Sequence, residues 1–232
     1  KAGILPADVV CVATSQARDA ENGEEFFLQV EAESDFRFRV ISGQDEARLS
    51  FLGSLLPDME SSNHAVVDIG GGSTEFVTAK EDRSIDLGSV RFTERYLKSD
   101  PVIDEEFSIC LNEIDNKLEE LMDWRSSILS DMQMLAVAGT ATTLASWHLG
   151  QEVFNANEIE KVQLTDEDLR RMVECLKLMT IAERREQVGI EPKRADVLLA
   201  GAMIMWRTME KLNFHICNIS TRGLRYGVLM DL

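Results

Sequence analysis

The segment Ala65-Val66-Val67-Asp68-Ile69-Gly70-Gly71-Gly72-Ser73-Thr74-Glu75-Phe76-Val77 places carboxylates on either side of three successive glycines and two hydroxyl residues. Gly70, Gly71 and Gly72 open backbone conformations closed to other residues and clear the way for amide N–H groups to approach an anion. Ser73 and Thr74 add hydroxyl donors suited to the same oxygens. If the apolar flanks pair as a hairpin, Asp68 and Glu75 face each other at its mouth, within reach of one hydrated Mg²⁺. That cation would offset their charge against the charge of a phosphate. A flexible glycine turn with Asp68 and Glu75 as solvated strand ends is the simpler reading, and the segment alone leaves both open.

A second run, Gly139-Thr140-Ala141-Thr142-Thr143, follows a short apolar strand and precedes a helical pattern. Strand, tight turn and helix in that order offer amides to an anion at the helix N-terminus, with Gly139 and Thr140 as the expected phosphate contacts. An ordinary helix cap by Thr140 is the alternative.

The elements that must carry these loops follow from periodicity. Short β-rich runs are expected at Val9–Ala13, Phe36–Ile41, Ala65–Ile69, Glu75–Ala79, Met134–Ala138 and His215–Ser220. Helices are expected over Arg18–Val30, Asp45–Leu56, Asp104–Trp124, Thr142–Leu149, from Thr165 onward behind an acidic first turn, Pro192–Leu212 and Leu224–Leu232. Strands alternating with helices read as an α/β fold. The polar stretch Pro57–Asn63 is the best candidate for a boundary, which divides the chain into residues 1–57 and 58–232.

Composition removes several function classes. The 232 residues suffice for one large or two small domains, and a surplus of 41 acidic over 24 basic residues leaves a net charge of −17. Such a chain repels duplex nucleic acid and anionic lipid. The longest apolar run, Val197–Trp206, is ten residues, about half of the ~20 that span a bilayer. Cys11, Cys110, Cys175 and Cys217 form no close pair, and His64, His148 and His215 stand equally apart. That spacing fits free thiols in a reducing cytoplasm and argues against a zinc site.

Six motifs in order extend the picture: Val12-Ala13-Thr14-Ser15 with Arg18-Asp19-Ala20, Val40-Ile41-Ser42-Gly43 with Glu46-Ala47-Arg48-Leu49, Asp68 to Glu75, Gly139 to Leu144, Arg194-Ala195-Asp196-Val197, and Gly223-Leu224-Arg225. The two glycine loops resemble the phosphate loops of the actin, Hsp70 and sugar-kinase superfamily. The whole series resembles the exopolyphosphatase and guanosine pentaphosphate phosphohydrolase (Ppx/GppA) family across essentially the full chain. The resemblance implies a two-lobed actin-like ATPase (ribonuclease H-like) fold with phosphate between the lobes. It implies Glu46 as catalytic base, Arg18 as the arginine that handles the phosphoryl group, Asp68 and Glu75 as Mg²⁺ carboxylates, and Gly70 through Thr74 as the phosphate cradle. Arg194, Arg222 and Arg225 sit in recognisable motifs that packing explains equally well.

Members of that family normally open with a strand and an Asp-x-Gly-Ser-Asn-Ser type loop, which this sequence does not contain, so the first lobe is expected to be incomplete. The helical domains of longer members are likewise expected to be absent. This favours a short substrate, as does the acidic surface, because a long polyanion needs an extended basic channel. Arg37, Arg39 and Arg48 are expected to make a small positive cleft. The expected activity is Mg²⁺-assisted hydrolysis of a terminal phosphoanhydride in guanosine pentaphosphate or short polyphosphate, in the setting of the stringent response. A non-catalytic sensor of the same ligands and a phosphotransferase of the same superfamily are the alternatives. A second copy of the chain is among the partners left open.

Overall fold

The computed structural model describes residues 5, 8–14, 17, 20–128 and 130–231. Two short strands, β1 (Cys11–Ala13) and β2 (Phe38–Val40), pair in parallel around helix α1 (Gly23–Ser34), and helix α2 (Gly43–Ser54) follows. Ser42 caps α2 by accepting the Asp45 N–H at 3.0 Å, with Asp45 and Glu46 in the first turn beside the positive end of the helix.

The larger sheet contains β3 (His64–Ile69), β4 (Thr74–Val77), β5 (Asp82–Ile85), β6 (Gln133–Val137), β7 (Gln163–Leu164) and β8 (Cys217–Ile219), in the order β5-β4-β3-β6-β8-β7. The β3–β6 and β6–β8 pairs are parallel, and the outer pairs are antiparallel. Helices α3 (Ser89–Tyr96), α4 (Asp104–Leu118), α5 (Met122–Ser127), α6 (Ala138–Leu149), α7 (Ala156–Ile159), α8 (Asp166–Leu178), α9 (Ile181–Arg185), α10 (Leu198–Lys211) and α11 (Leu224–Met230) complete the described chain. Thr165 and Asp168 close a reciprocal capping box at the start of α8, as the acidic first turn there implies.

Alternation along the strands decides what faces where. Val67, Ile69, Phe76, Met134 and Ala136 enter the main core, with buried residues of α4, α8 and α10. Val66, Val77, Leu135 and Val137 form a smaller cluster on the opposite face, against Phe51 of α2. Asp68 and Glu75 have the parity of Val66 and Val77, so they belong to that second face. Helix α11 returns to α2, and Ile41, Leu49 and Val228 pack there as a third cluster.

Several boundaries differ from the sequence reading. The helix expected over Asp104–Trp124 is interrupted by a 3₁₀ turn at Glu119–Leu121. The one expected from Pro192 begins at Leu198, after a 3₁₀ turn at Pro192–Arg194. Strand β5 and helix α3 had no distinct signal, because Asp82-Arg83-Ser84 is polar throughout and α3 is short. Cys110 and Cys217 are buried free thiols whose pKa values burial pushes up to about 12, consistent with a packing role. Among the described residues, no helix is long and apolar enough to cross a membrane.

Candidate active site

The hairpin expected around the glycines forms in the anticipated register: Asp68 pairs with Glu75, and Ile69 with Thr74. The four-residue connection Gly70–Ser73 is closed by the Gly70 N–H donating to the Ser73 carbonyl at 3.0 Å. Its other carbonyls turn toward α3. Gly70 O accepts the Ser89 N–H, Gly71 O accepts those of Val90 and Arg91, each at 3.0 Å, and Gly72 O accepts from Arg91 Nε at 2.8 Å. The loop thus satisfies the first amides of α3. Among the described residues, the N–H groups of Gly71, Gly72 and Ser73 donate to no protein acceptor, the disposition an anion cradle needs. Gly88 makes this docking possible, since a Cβ there would lie 2.3 Å from Gly71 O and 2.4 Å from Gly72 C.

Asp68, Ser73 and Glu75 open onto a cleft of about 650 Å³ whose opposite wall is α2, with Glu46, Ala47 and Ser50. Glu75 is oriented by two hydroxyls, Ser73 Oγ at 2.6 Å and Ser84 Oγ at 2.9 Å, both donating to Oε1. Its Oε2 accepts no hydrogen bond among the described residues. Asp68 is half-buried and accepts no hydrogen bond there either. Burial first, then the charges of Glu75 and Glu46, raise its pKa to about 6. Glu46 therefore stands close enough across the cleft to be felt at Asp68. Two carboxylates with open oxygens on facing strands fit one Mg²⁺ that keeps several waters. Among the described residues, no three His, Cys, Asp or Glu side chains converge as a complete metal cage, so water would fill the remaining positions.

Other expected contacts fall elsewhere. Thr74 has the parity of Phe76, is fully buried, and donates its hydroxyl to the Leu87 carbonyl on the face away from the cleft. The turn expected at Gly139 is absent, because α6 begins at Ala138 directly after β6, and Ala138 takes φ 66°. Gly139 lies under the Arg194 guanidinium, with Arg194 Cζ 1.9 Å from where a Cβ would be. Thr140 is buried against Gly201 and does not cap the helix, which carries no side-chain cap. Ala138 is the residue of this segment that lines the cleft. Arg18 lies outside the described residues. Arg37, Arg39 and Arg48 do not line this cleft; Arg39 and Arg48 border a separate small cavity of about 130 Å³ that Asp45 and Asp231 also line, with Arg48 paired to Asp231 at 3.1 Å, while Arg37 pairs with Glu31 at 2.8 Å.

The cations that do line the described cleft are Arg83 and Arg222, paired with Glu81 at 3.0 Å and Glu160 at 3.2 Å. Sequence reasoning missed Ser84, whose strand was unmarked, and Gly88, whose role depends on a contact distant in sequence.

The Ppx/GppA phosphatase family model matches residues 2–232. The chain belongs to that family. It is 30% identical over 241 residues to the bifunctional 3-dehydroquinate synthase/phosphatase of Fusobacterium nucleatum, covering 100% of this chain and 36% of that protein. It is 30% identical over 240 residues to exopolyphosphatase 1 of Mycobacterium leprae, covering 97% of this chain and 68% of that one. The solved Aquifex aeolicus PPX-GPPA enzyme superposes with a TM-score of 0.84 at 30% identity, covering 97% of this chain and 75% of its own. This Ppx/GppA chain thus has the actin-like α/β fold of its relatives, while spanning about a third of the first relative and two thirds of the second.

Proposed function

We propose that this Ppx/GppA chain hydrolyses the terminal phosphoanhydride of guanosine pentaphosphate or short inorganic polyphosphate. The observation that carries the reading is the convergence of Glu46, Asp68, Glu75 and Ser73 on one cleft. Glu46 projects from the capped first turn of α2 and acts as the base, taking a proton from the water that attacks the terminal phosphorus. The free amides of the Gly70–Ser73 loop hold phosphoryl oxygens as charge shifts onto the leaving group. Asp68 and Glu75 would hold Mg²⁺, which supplies charge neutralisation between these carboxylates and the phosphate. Arg18 is assigned the phosphoryl-clamping role on the family motif, as a planar guanidinium suits it.

We divide the lobes at 1–57 and 58–232, with α11 reaching across to the first lobe. We assign the protein to the cytoplasm and leave a homodimer as its simplest assembly. The test is Mg²⁺-dependent phosphate release from guanosine pentaphosphate and tripolyphosphate by this chain and by Glu46→Gln. Release that falls by at least about 100-fold in the variant, with folding intact, is the expected result. Stoichiometric ligand binding without release by either protein would replace the hydrolase with a sensor. Release that requires ADP as phosphate acceptor would replace it with a phosphotransferase.

A further inference from the structure

We infer that Glu160, behind the cleft wall, is a positioning residue that fixes where Glu46 stands relative to Asp68 and Glu75, an inference that rests on the hydrolase reading above. Glu46 reaches the main sheet through a chain of rigid contacts. Helices α2 and α11 meet backbone to backbone: a Cβ on Gly53 would lie 2.2 Å from Gly227 N, and one on Gly227 would lie 1.9 Å from Leu49 O. The Gly223 N–H also donates to Gly53 O at 3.3 Å, and Arg48 pairs with Asp231 at 3.1 Å. With glycine on both faces and no side chain between them, the two helices have no soft layer across which to slide.

Beside the packing of Phe51 of α2 on the sheet, two chain connections join that pair to it, residues 55–63 and residues 220–223. The second is the shorter. Ser220 is anchored on the sheet by donating its N–H to Ala136 O at 3.0 Å. Three residues later Gly223 takes φ 132°, ψ −150°, a conformation essentially restricted to glycine, and α11 begins. Glycine there permits the bend without holding it at one angle.

Glu160 supplies the hold. Its Oε1 accepts from Thr221 Oγ1 at 2.6 Å and Arg222 Nε at 3.2 Å, and its Oε2 accepts from Arg222 Nη2 at 3.2 Å. Glu160 follows α7 on the large body, where Ile159 is fully buried in the main core, so its backbone is fixed. Burial works against its charge, but the hydrogen bonds from Arg222 and Thr221 outweigh it and keep its pKa below the ordinary glutamate value. Arg222 lines the cleft and Glu160 does not, so a change at Glu160 alters no side chain that itself faces substrate and acts only through the residues it holds.

A bidentate carboxylate across the two residues before the glycine makes the joint a bracket, and the bracket sets the angle at which α11, α2 and Glu46 face the sheet. Misplacing a base by about 1 Å costs on the order of 100-fold in turnover without weakening substrate binding equally.

The test compares this chain with Glu160→Gln in two measurements. The first is the split of kcat from KM for Mg²⁺-tripolyphosphate, with Glu158→Gln, an exposed neighbour, as control. The second is the distance between spin labels on Cys175 of α8 and on an introduced Leu229→Cys of α11, in a Cys11→Ser background. We expect kcat to fall about 10- to 100-fold with KM within about twofold, and the label distance distribution to shift or broaden. An unchanged distance distribution overturns the inference whatever the kinetics do, as does a change confined to KM. If wild-type protein shows no turnover, the hydrolase reading fails and the distances alone decide whether Glu160 holds the joint. Should Glu160→Gln not fold, Thr221→Val, which removes one of the three hydrogen bonds, is compared in the same way.

Discussion

Replacing Asp68 with asparagine should stabilise the metal-free protein at neutral pH. Asp68 carries its carboxylate with no hydrogen-bond donor, partly buried and facing Glu75 and Glu46, and its pKa is raised from 3.8 to about 6. A raised carboxylate pKa means that the folded state binds the proton more tightly than the unfolded chain does. The resulting contribution to stability is complete below about pH 4 and is lost as pH rises through about 6. Two pKa units correspond to about 3 kcal/mol at 1.36 kcal/mol per unit; solvent at the cleft edge lowers this to about 1–3 kcal/mol. The side-chain amide of Asp68→Asn has nothing to ionise. In urea unfolding with EDTA, the variant should therefore match wild type near pH 4 and exceed it by about 1–3 kcal/mol at pH 7.5, with the gain appearing between these values. Millimolar Mg²⁺ should then stabilise wild type more than the variant, reducing or reversing the difference. A stability difference that is flat from pH 4 to 8, or a variant weaker than wild type in EDTA at pH 7.5, would refute the reasoning about this site.

Two further substitutions separate the cradle from its support. Thr74→Val removes a buried hydroxyl bonded to Leu87 O on the core side, so unfolding should show a loss of about 1–3 kcal/mol while KM for Mg²⁺-tripolyphosphate stays the same; a rise in KM would place the hydroxyl in the phosphate site after all. Gly88→Ala inserts a methyl 2.3 Å from Gly71 O and must push the loop off α3, so phosphate release should fall at least about 10-fold with an overpacking cost of about 1–3 kcal/mol; undiminished release would show that the loop's seat on α3 does not matter.

The candidate site was legible where its geometry depends on neighbours along one strand and obscure where it depends on the fold. Asp68 and Glu75 lie symmetrically about the glycines, so hairpin pairing alone brings them together, and the register agrees. The same alternation that puts them in the cleft sends Thr74 the other way, which hydroxyl chemistry read without strand parity does not reveal. The surroundings of the Gly139 and Thr140 side-chain positions were hidden for a similar reason. A glycine between strand and helix suggests a turn, yet here it makes room for the Arg194 guanidinium, and Thr140 fills a space beside Gly201 about sixty positions away. The return of α11 to α2 is likewise a contact between chain ends, carried by Gly53 and Gly227, residues that look like ordinary helix weak points in sequence.

The acidity of the cleft bears on which substrates it can hold. Glu46, Asp68, Glu75 and Asp82 line it, while its described cations, Arg83 and Arg222, are already paired with Glu81 and Glu160. A bare polyphosphate approaching such a wall meets repulsion beyond the reach of the loop amides. The same chain ending in a metal-bound phosphate brings its own neutralising charge, and Asp68 and Glu75 then become attractive. On the proposed hydrolase reading, the loop and the carboxylates would hold the first phosphates, and each further one would gain little from a surface that carries a net charge of −17. On these grounds affinity should saturate within a few phosphates and depend steeply on Mg²⁺, in contrast to a long basic channel, where affinity grows with polymer length and falls with monovalent salt.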